Sequence, residues 1–387
     1  MYETICQETT LYKAFLSVRK NKGAGGIDGE TLESFQKNLG LHIRELARLL
    51  KERRYKPLPV KRVYIPKANG KLRPLGIPAI RDRIIQQAVR MEIEPSFERR
   101  MSDDSYGFRK ERGAGHAIAA IERNLKEGYT HIVDADISDF FGTINHQTLM
   151  NKVRQAIPDK EVTYLIHSFL LAGVMEEGRI RNQSTGTPQG GVISPLLANL
   201  YLNDFDRTVV KTGARLVRYA DDFILMARSK GKAKQAYHLA KDALTKLKLS
   251  FASEKTRLTD INDGFDFLGY TFWRKHIFPS DKSLGKFKDK IRQLTRRQQP
   301  KNVAMVVERL IPVMRGWGNY FCTRDGSSRF KALDEMVRRR LRSFIAKKFA
   351  LTQMYHMKYP NSFFEELGLP SLFDLFTHRK ALRSLSL

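Results

Sequence analysis

The chain has 387 residues and carries 69 Lys and Arg against 41 Asp and Glu, a formal net charge of +28 at pH 7. A field of that size attracts polyanions through an interaction that salt weakens steeply, but a purely structural RNA-binding protein would share it, so charge names the partner class and not the reaction. No apolar run is long enough to span a bilayer, the start lacks the basic-then-apolar layout of a leader, and Cys6 and Cys322 are too few for a disulfide framework; these features argue against membrane and secreted classes and for a reducing cytoplasm.

The length predicts two or three packed units, and aromatic residues at 10% argue for a globular chain. Residues 2–19 carry a helical pattern, followed by a glycine-dense loop from Asn21 to Gly29 and a second helical stretch over 31–54. Such a loop alone is weak evidence for phosphate binding, since a plain turn between helices explains it. Val60-Lys61-Arg62-Val63-Tyr64-Ile65 alternates as a strand, turns at Asn69-Gly70 and returns through Leu72 to Ile77. Lys67 and Arg73 flank that turn, one a point charge and the other a planar fork, both suited to a triphosphate and both also ordinary surface charges. An amphipathic helix over 81–99, the block Ser105-Tyr106-Gly107-Phe108-Arg109 and a helix over 114–125 follow.

His131-Ile132-Val133-Asp134-Ala135-Asp136 reads as a strand with both carboxylates on one face, and the spacing does not choose between them. Thr187-Pro188-Gln189-Gly190-Gly191 opens a helix over 194–203. Tyr219-Ala220-Asp221-Asp222 lies between apolar runs at 214–217 and 223–227, which places two adjacent carboxylates at a hairpin tip. An isolated Asp-Asp turn is most often a solvated loop, but acids held that close repel unless a cation neutralises them, and carboxylate oxygens are the ligands magnesium prefers. A helix over 233–247, Lys255 and the block Phe267-Leu268-Gly269-Tyr270 come next. From Ser283 the pattern turns helical over 284–298, 303–320 and 329–349, with basic faces that include Lys286, Lys288, Arg338, Arg340 and Arg342, and a short tail interrupted by Pro360 and Pro370 follows.

The ordered set of Ile65 to Leu75, the Asp136 strand, Gly186 to Leu197, Tyr219 to Asp222 and Phe267 to Tyr270 resembles the reverse transcriptases of the group II intron lineage over about residues 21–320. The paired glycines after Gln189 and the segment Arg315-Gly316-Trp317-Gly318-Asn319-Tyr320 are the intron-type, maturase-like forms. The resemblance implies an α+β right-hand polymerase: an N-terminal extension over 1–58, fingers and an antiparallel-sheet palm over 59–275, a three-helix thumb over 283–350 and a short tail over 351–387. It implies an RNA-directed DNA polymerase in which Asp136, Asp221 and Asp222, with the Ile137 carbonyl, hold two Mg2+ ions for which Mn2+ can substitute, and Lys255 protonates departing pyrophosphate. Lys67, Arg73, Phe141, Gln189 and Ala220 would form the dNTP site, the Phe141 ring excluding a 2′-hydroxyl. Arg109, Tyr219, Leu268, Gly269 and Tyr270 would touch nucleic acid, the last three as the primer grip.

The expected partners are a structured RNA template, a DNA primer or cDNA product and dNTPs, with no membrane. No Cys- and His-rich endonuclease module is expected, so target cleavage is not anticipated. A maturase that chiefly binds intron RNA and an RNA-directed RNA polymerase are the rival readings. Intron mobility and a host-adapted role in phage defence are both open as its purpose.

Overall fold

The computed structural model describes residues 1–66, 70, 72–176, 178–181, 185–252, 254, 256–300, 302–346 and 353–384. Two compact units divide between Leu258 and Thr259. In the first, the amino-terminal pattern resolves into helices Tyr2–Ile5 and Glu8–Lys20, then Leu32–Lys37 and Leu39–Lys51, so the expected single helix over 31–54 is broken at Asn38. The Thr31 hydroxyl caps the third helix by accepting from the Ser34 amide. The glycine loop before it is docked. A Cβ on Gly26 would lie 2.5 Å from the Ala79 Cα, and buried Arg83 donates to the carbonyls of Pro78 (2.8 Å) and Ala24.

The sheets of this unit include β1 (Val60–Pro66), β2 (Leu72–Ile77), β3 (His131–Asp136), β4 (Val174–Glu176), β5 (Arg179–Arg181), β6 (Arg215–Tyr219) and β7 (Asp222–Ala227). One sheet runs β2-β1-β4-β5, and in the other β7 lies between β6 and β3, antiparallel to both. Period-two alternation gives this second sheet two unlike faces. Val133, Ala135, Phe223 and Leu225 point into the main core with helices Ser194–Val209 and Lys230–Lys246. Ile132, Ile224, Met226, Asp134, Asp136 and Asp222 share the other face. Its apolar end is buried, and the Asn124 amide of helix Ala114–Lys126 reaches the Met226 sulfur there. The aspartates occupy the opposite end. Helices His146–Ala156 and Lys160–Leu171 and the β4–β5 hairpin, which sequence reading passed over, fill the stretch between β3 and the Gln189 turn.

The second unit opens with a three-stranded antiparallel sheet, Phe265–Phe267, Tyr270–Trp273 and His276–Pro279, and continues into helices Asp281–Leu294, Val303–Phe321 and Ser327–Ala346. Trp317 packs on Phe287 and Phe321 at centroid distances of 4.7 and 4.6 Å. The segment expected as a short tail is instead part of this core. Helices Gln353–Lys358, Asn361–Glu366 and Leu372–Ser384 follow, with Phe364 and Leu372 fully buried, and Gly318 leaves the space that Leu372 and Leu375 fill. Two of the expected basic-face arginines turn inward as well: Arg340 donates to the Thr295 hydroxyl and carbonyl, and Arg342 to the Tyr359 carbonyl and Asn361.

Asp334 ties the last helix down, accepting from the Ser371 hydroxyl and from the amides of Leu372 and Phe373 at 2.9–3.0 Å. Burial pushes its carboxyl pKa up, and those three donors pull against the shift. Asp334→Ala strands two helix-terminal amides and one hydroxyl, so it is expected to cost about 2–4 kcal/mol in chemical denaturation and to expose residues 353–384 to limited proteolysis.

Candidate active site

The Tyr219-Ala220-Asp221-Asp222 segment forms a two-residue hairpin between β6 and β7, with Tyr219 paired to Asp222. Ala220 takes φ +62°, the left-handed conformation that the first central position of a primed hairpin turn requires. On the far side of β7, Asp222 lies directly opposite Asp136 of β3. Side chains so paired have Cβ atoms roughly 4.5–5.5 Å apart, and like charges there destabilise the sheet. Asp136, Asp221 and Asp222 are all half-buried. The register therefore brings together, at one sheet end, three carboxylates from two distant stretches. Among the described residues no group of three or more His, Cys, Asp or Glu side chains stands arranged to hold a metal ion.

Asp134 shares the Asp136 face, but Arg257 donates to it at 3.0 Å, which gives it a cationic partner of its own. The bonds that join Asp136–Ser138 to 250–252 run from the Ala252 amide to the Asp136 carbonyl and from the Ser138 amide to the Ser250 carbonyl. Ile137 takes no part in that pair of bonds. Lys255 and Lys67 lie outside the described residues.

A buried polar scaffold supports the turn. The Arg218 guanidinium grips Asp206 through two bonds of 2.5 and 2.6 Å, and its Nη1 donates to Asn199 (3.0 Å) and to the Ala220 carbonyl (2.8 Å). Asn199 in turn donates to the Gly107 carbonyl at 2.8 Å, and a Cβ on Gly107 would lie 2.5 Å from the Ala220 nitrogen. Backbone bonds from Tyr106 to Arg218 and from Arg218 to Asp104 lay this block along β6. None of this scaffold was anticipated from sequence.

Arg109, expected to contact template phosphate, needs correction. Its side chain is 4% exposed and makes a forked pair with Glu98 and bonds to the Ser102 and Ser105 carbonyls, so its donors are spent inside the protein. The Tyr-Gly-Phe-Arg block packs under the acidic turn.

Phe141 and Gln189 line one cleft together with Arg62, Pro74, Gly76 and Thr187. Phe141 meets buried Phe140 at 5.3 Å, and its carbonyl receives the Thr187 amide at 2.8 Å. The Thr187 hydroxyl, in a residue 4% exposed, has no partner among the described residues. Arg73 is not brought in. It pairs with Ile65 and is exposed, on the β1–β2 face opposite to Pro74 and Gly76. Arg62, paired with Gly76, is the basic side chain that lines the cleft, and the period of β1 was the signal that could have found it. A Cβ on Gly190 would lie 2.3 Å from the Gly76 carbonyl, so the first of the paired glycines lets the turn cross β2 backbone to backbone.

In the second unit, Leu268 (φ +49°) and Gly269 (φ +81°) form the tight turn between the first two strands. The Tyr320 hydroxyl donates to the Leu268 carbonyl, and Ser280 and Ser283 both donate to that of Gly269. Tyr270 is 1% exposed, packs at a tilt against Phe321 and donates to the Tyr320 carbonyl, so its ring shapes this turn from within and the expected direct contact with primer is corrected.

With that geometry in view, residues 65–272 match the family described as reverse transcriptase (RNA-dependent DNA polymerase), and residues 284–359 match the maturase-specific domain of group II introns. The chain belongs to the group II intron-type reverse transcriptases. It is 38% identical over 312 residues to Protein YkfC of Escherichia coli K12, covering 70% of this chain and 82% of that protein. It is 37% identical over 227 residues to the group II intron-encoded protein LtrA of Lactococcus lactis, covering 58% of this chain and 37% of LtrA. A telomerase structure from Candida albicans shares the right-hand fold at a TM-score of 0.50 and 11% identity, covering 87% of this chain and 69% of that one. The reverse transcriptase is thus an RNA-directed DNA polymerase from a family that works with divalent metal ions and RNA. Among its described residues no helix is long and apolar enough to cross a membrane.

Arg109→Ala in this reverse transcriptase is expected to lower stability by about 2 kcal/mol, because Glu98 and two carbonyls lose their partner. It should leave the salt dependence of RNA binding unchanged, whereas loss of a phosphate contact would reduce that slope by about one. Thermal melts and binding titrations over salt separate the two outcomes.

Proposed function

We propose that the enzyme extends the 3′-hydroxyl of a DNA primer or cDNA on a structured RNA template, using dNTPs, in the cytoplasm. The observation that carries this reading is the pairing of Asp136 with Asp222 across β3 and β7, with Asp221 next in the turn. The donor set suits hard divalent cations, being all carboxylate oxygen at one open sheet end, with the Ile137 carbonyl beside it. Two Mg2+ ions bound there, with Mn2+ able to substitute, would lower the pKa of the primer hydroxyl and neutralise charge at the α-phosphate.

The chain's own residues then divide the remaining work. Asp136, Asp221 and Asp222 would supply the carboxylates that hold the ions. Phe141 and Gln189 border the cleft that would take the nucleotide sugar, and the Thr187 hydroxyl supplies an unused polar group there. Arg62 lines the same cleft and would meet the triphosphate there, and Lys67 keeps the triphosphate role that its motif implies. Tyr219 and Ala220 would pack against the primer terminus. Leu268 and Gly269 would meet the primer backbone. Lys255 keeps the role of acid for the leaving pyrophosphate. A maturase that only bound intron RNA would have no use for the facing carboxylates. Intron mobility and host defence both remain compatible with this chemistry.

Asp221→Ala is expected to lower primer extension by more than about a thousandfold while RNA binding stays at the wild-type level. Extension by that variant at the wild-type rate would defeat the reading. Phe141→Ala is expected to relax the sugar selection of the cleft, raising NTP incorporation relative to dNTP by about tenfold or more in competition assays.

A further inference from the structure

The charged pair beneath the acidic turn is a costly way to fill a core. Arg218 and Asp206 are both fully buried, and apolar side chains of similar volume would hold such a space as well or better, because both charges lose their hydration. An apolar pair could not, however, hold a peptide plane. Arg218 Nη1 donates to the Ala220 carbonyl at 2.8 Å, and that carbonyl shares one rigid plane with the Asp221 amide. The two primed hairpin turns differ in the orientation of this plane, and flipping it changes the sign of φ at the second central residue. Here Ala220 has a positive φ and Asp221 does not. Gly107 packs against the preceding peptide, where a Cβ would lie 2.5 Å from the Ala220 nitrogen and 3.1 Å from the Tyr219 carbonyl carbon, and Asn199 links Gly107 to the guanidinium.

We infer that Arg218 is a positioning residue: braced by Asp206 and Asn199, it locks the peptide between Ala220 and Asp221 in one orientation and so sets where the Asp221 carboxylate is presented to a divalent cation. The three groups act on the metal site through the backbone and touch no reactant. The inference rests on the proposed role of Asp221. A wild-type enzyme with no metal-dependent extension would defeat that role, whereas the variants below test the positioning by itself.

The full-length double variant R218M/D206L removes the ion pair and keeps the volume, and Asn199→Ala removes the second brace while leaving the ion pair. Four quantities decide: the melting temperature, Mn2+ binding to the protein loaded with primed RNA and no nucleotide, hydrogen exchange at the Asp221 amide, and extension rate against Mg2+ concentration. The double variant is expected to melt within about 4 °C of wild type and to retain RNA. It should bind Mn2+ about tenfold more weakly and exchange the Asp221 amide about tenfold faster. Its extension rate should fall about a hundredfold and recover in part as Mg2+ is raised. Asn199→Ala should move the same readouts in the same direction by less. A folded double variant with wild-type Mn2+ affinity and amide exchange overturns the inference whatever its rate; if the double variant does not fold, the same criteria applied to Asn199→Ala decide.

Discussion

Two negative charges facing each other across a pair of antiparallel strands set the terms for the whole first unit. Asp136 and Asp222 are the end pair of the β3–β7 register, and a slip of β7 by one residue would turn Asp222 into the apolar core and bring Phe223 out onto the acidic face. The register is therefore held by what lies on the other side of the sheet. Val133, Ala135, Phe223 and Leu225 are buried against two helices, and such a slip would turn Phe223 and Leu225 out of that core. The hydrophobic effect acts on one face of the sheet and its consequence, a concentrated negative potential, appears on the other.

Much of this was legible locally. The two-residue hairpin announced itself through apolar runs on either side of Tyr219-Ala220-Asp221-Asp222, and the Asp136 strand through its period of two. Choosing Asp136 over Asp134 was beyond spacing, and the structure shows why: the partner that compensates Asp134 is Arg257, more than a hundred residues on. The role of Arg109 was hidden although its partner Glu98 is only 11 residues away. A basic residue beside an aromatic block reads as a nucleic-acid contact until Glu98 is seen closing on it.

Burial is what sequence patterns report least well for charged residues. Arg218 precedes the acidic turn and reads as one more cation in a strongly basic chain, yet it is among the largest side chains fully removed from solvent. Arg340 and Arg342 were counted toward a charged helix face and instead bond to carbonyls within their own unit. The segment after residue 350 looked like a tail because Pro360 and Pro370 interrupt it. Asp334, which anchors its last helix, sits 37 residues before Ser371, too far for any cap signature to register.

One contact between sheet and turn carries a mechanical consequence. The Gly76 amide donates to the Gln189 carbonyl at 2.6 Å, and the Gly190 backbone rests against the Gly76 carbonyl with no side chain between them. At that point β2 is fastened to the cleft wall, while Leu72 and Arg73 toward the hairpin tip are exposed. Any bending of the hairpin would therefore have its fulcrum at Gly76, and the lever arm is the stretch of β2 from Gly76 to Leu72, roughly 13 Å of extended chain.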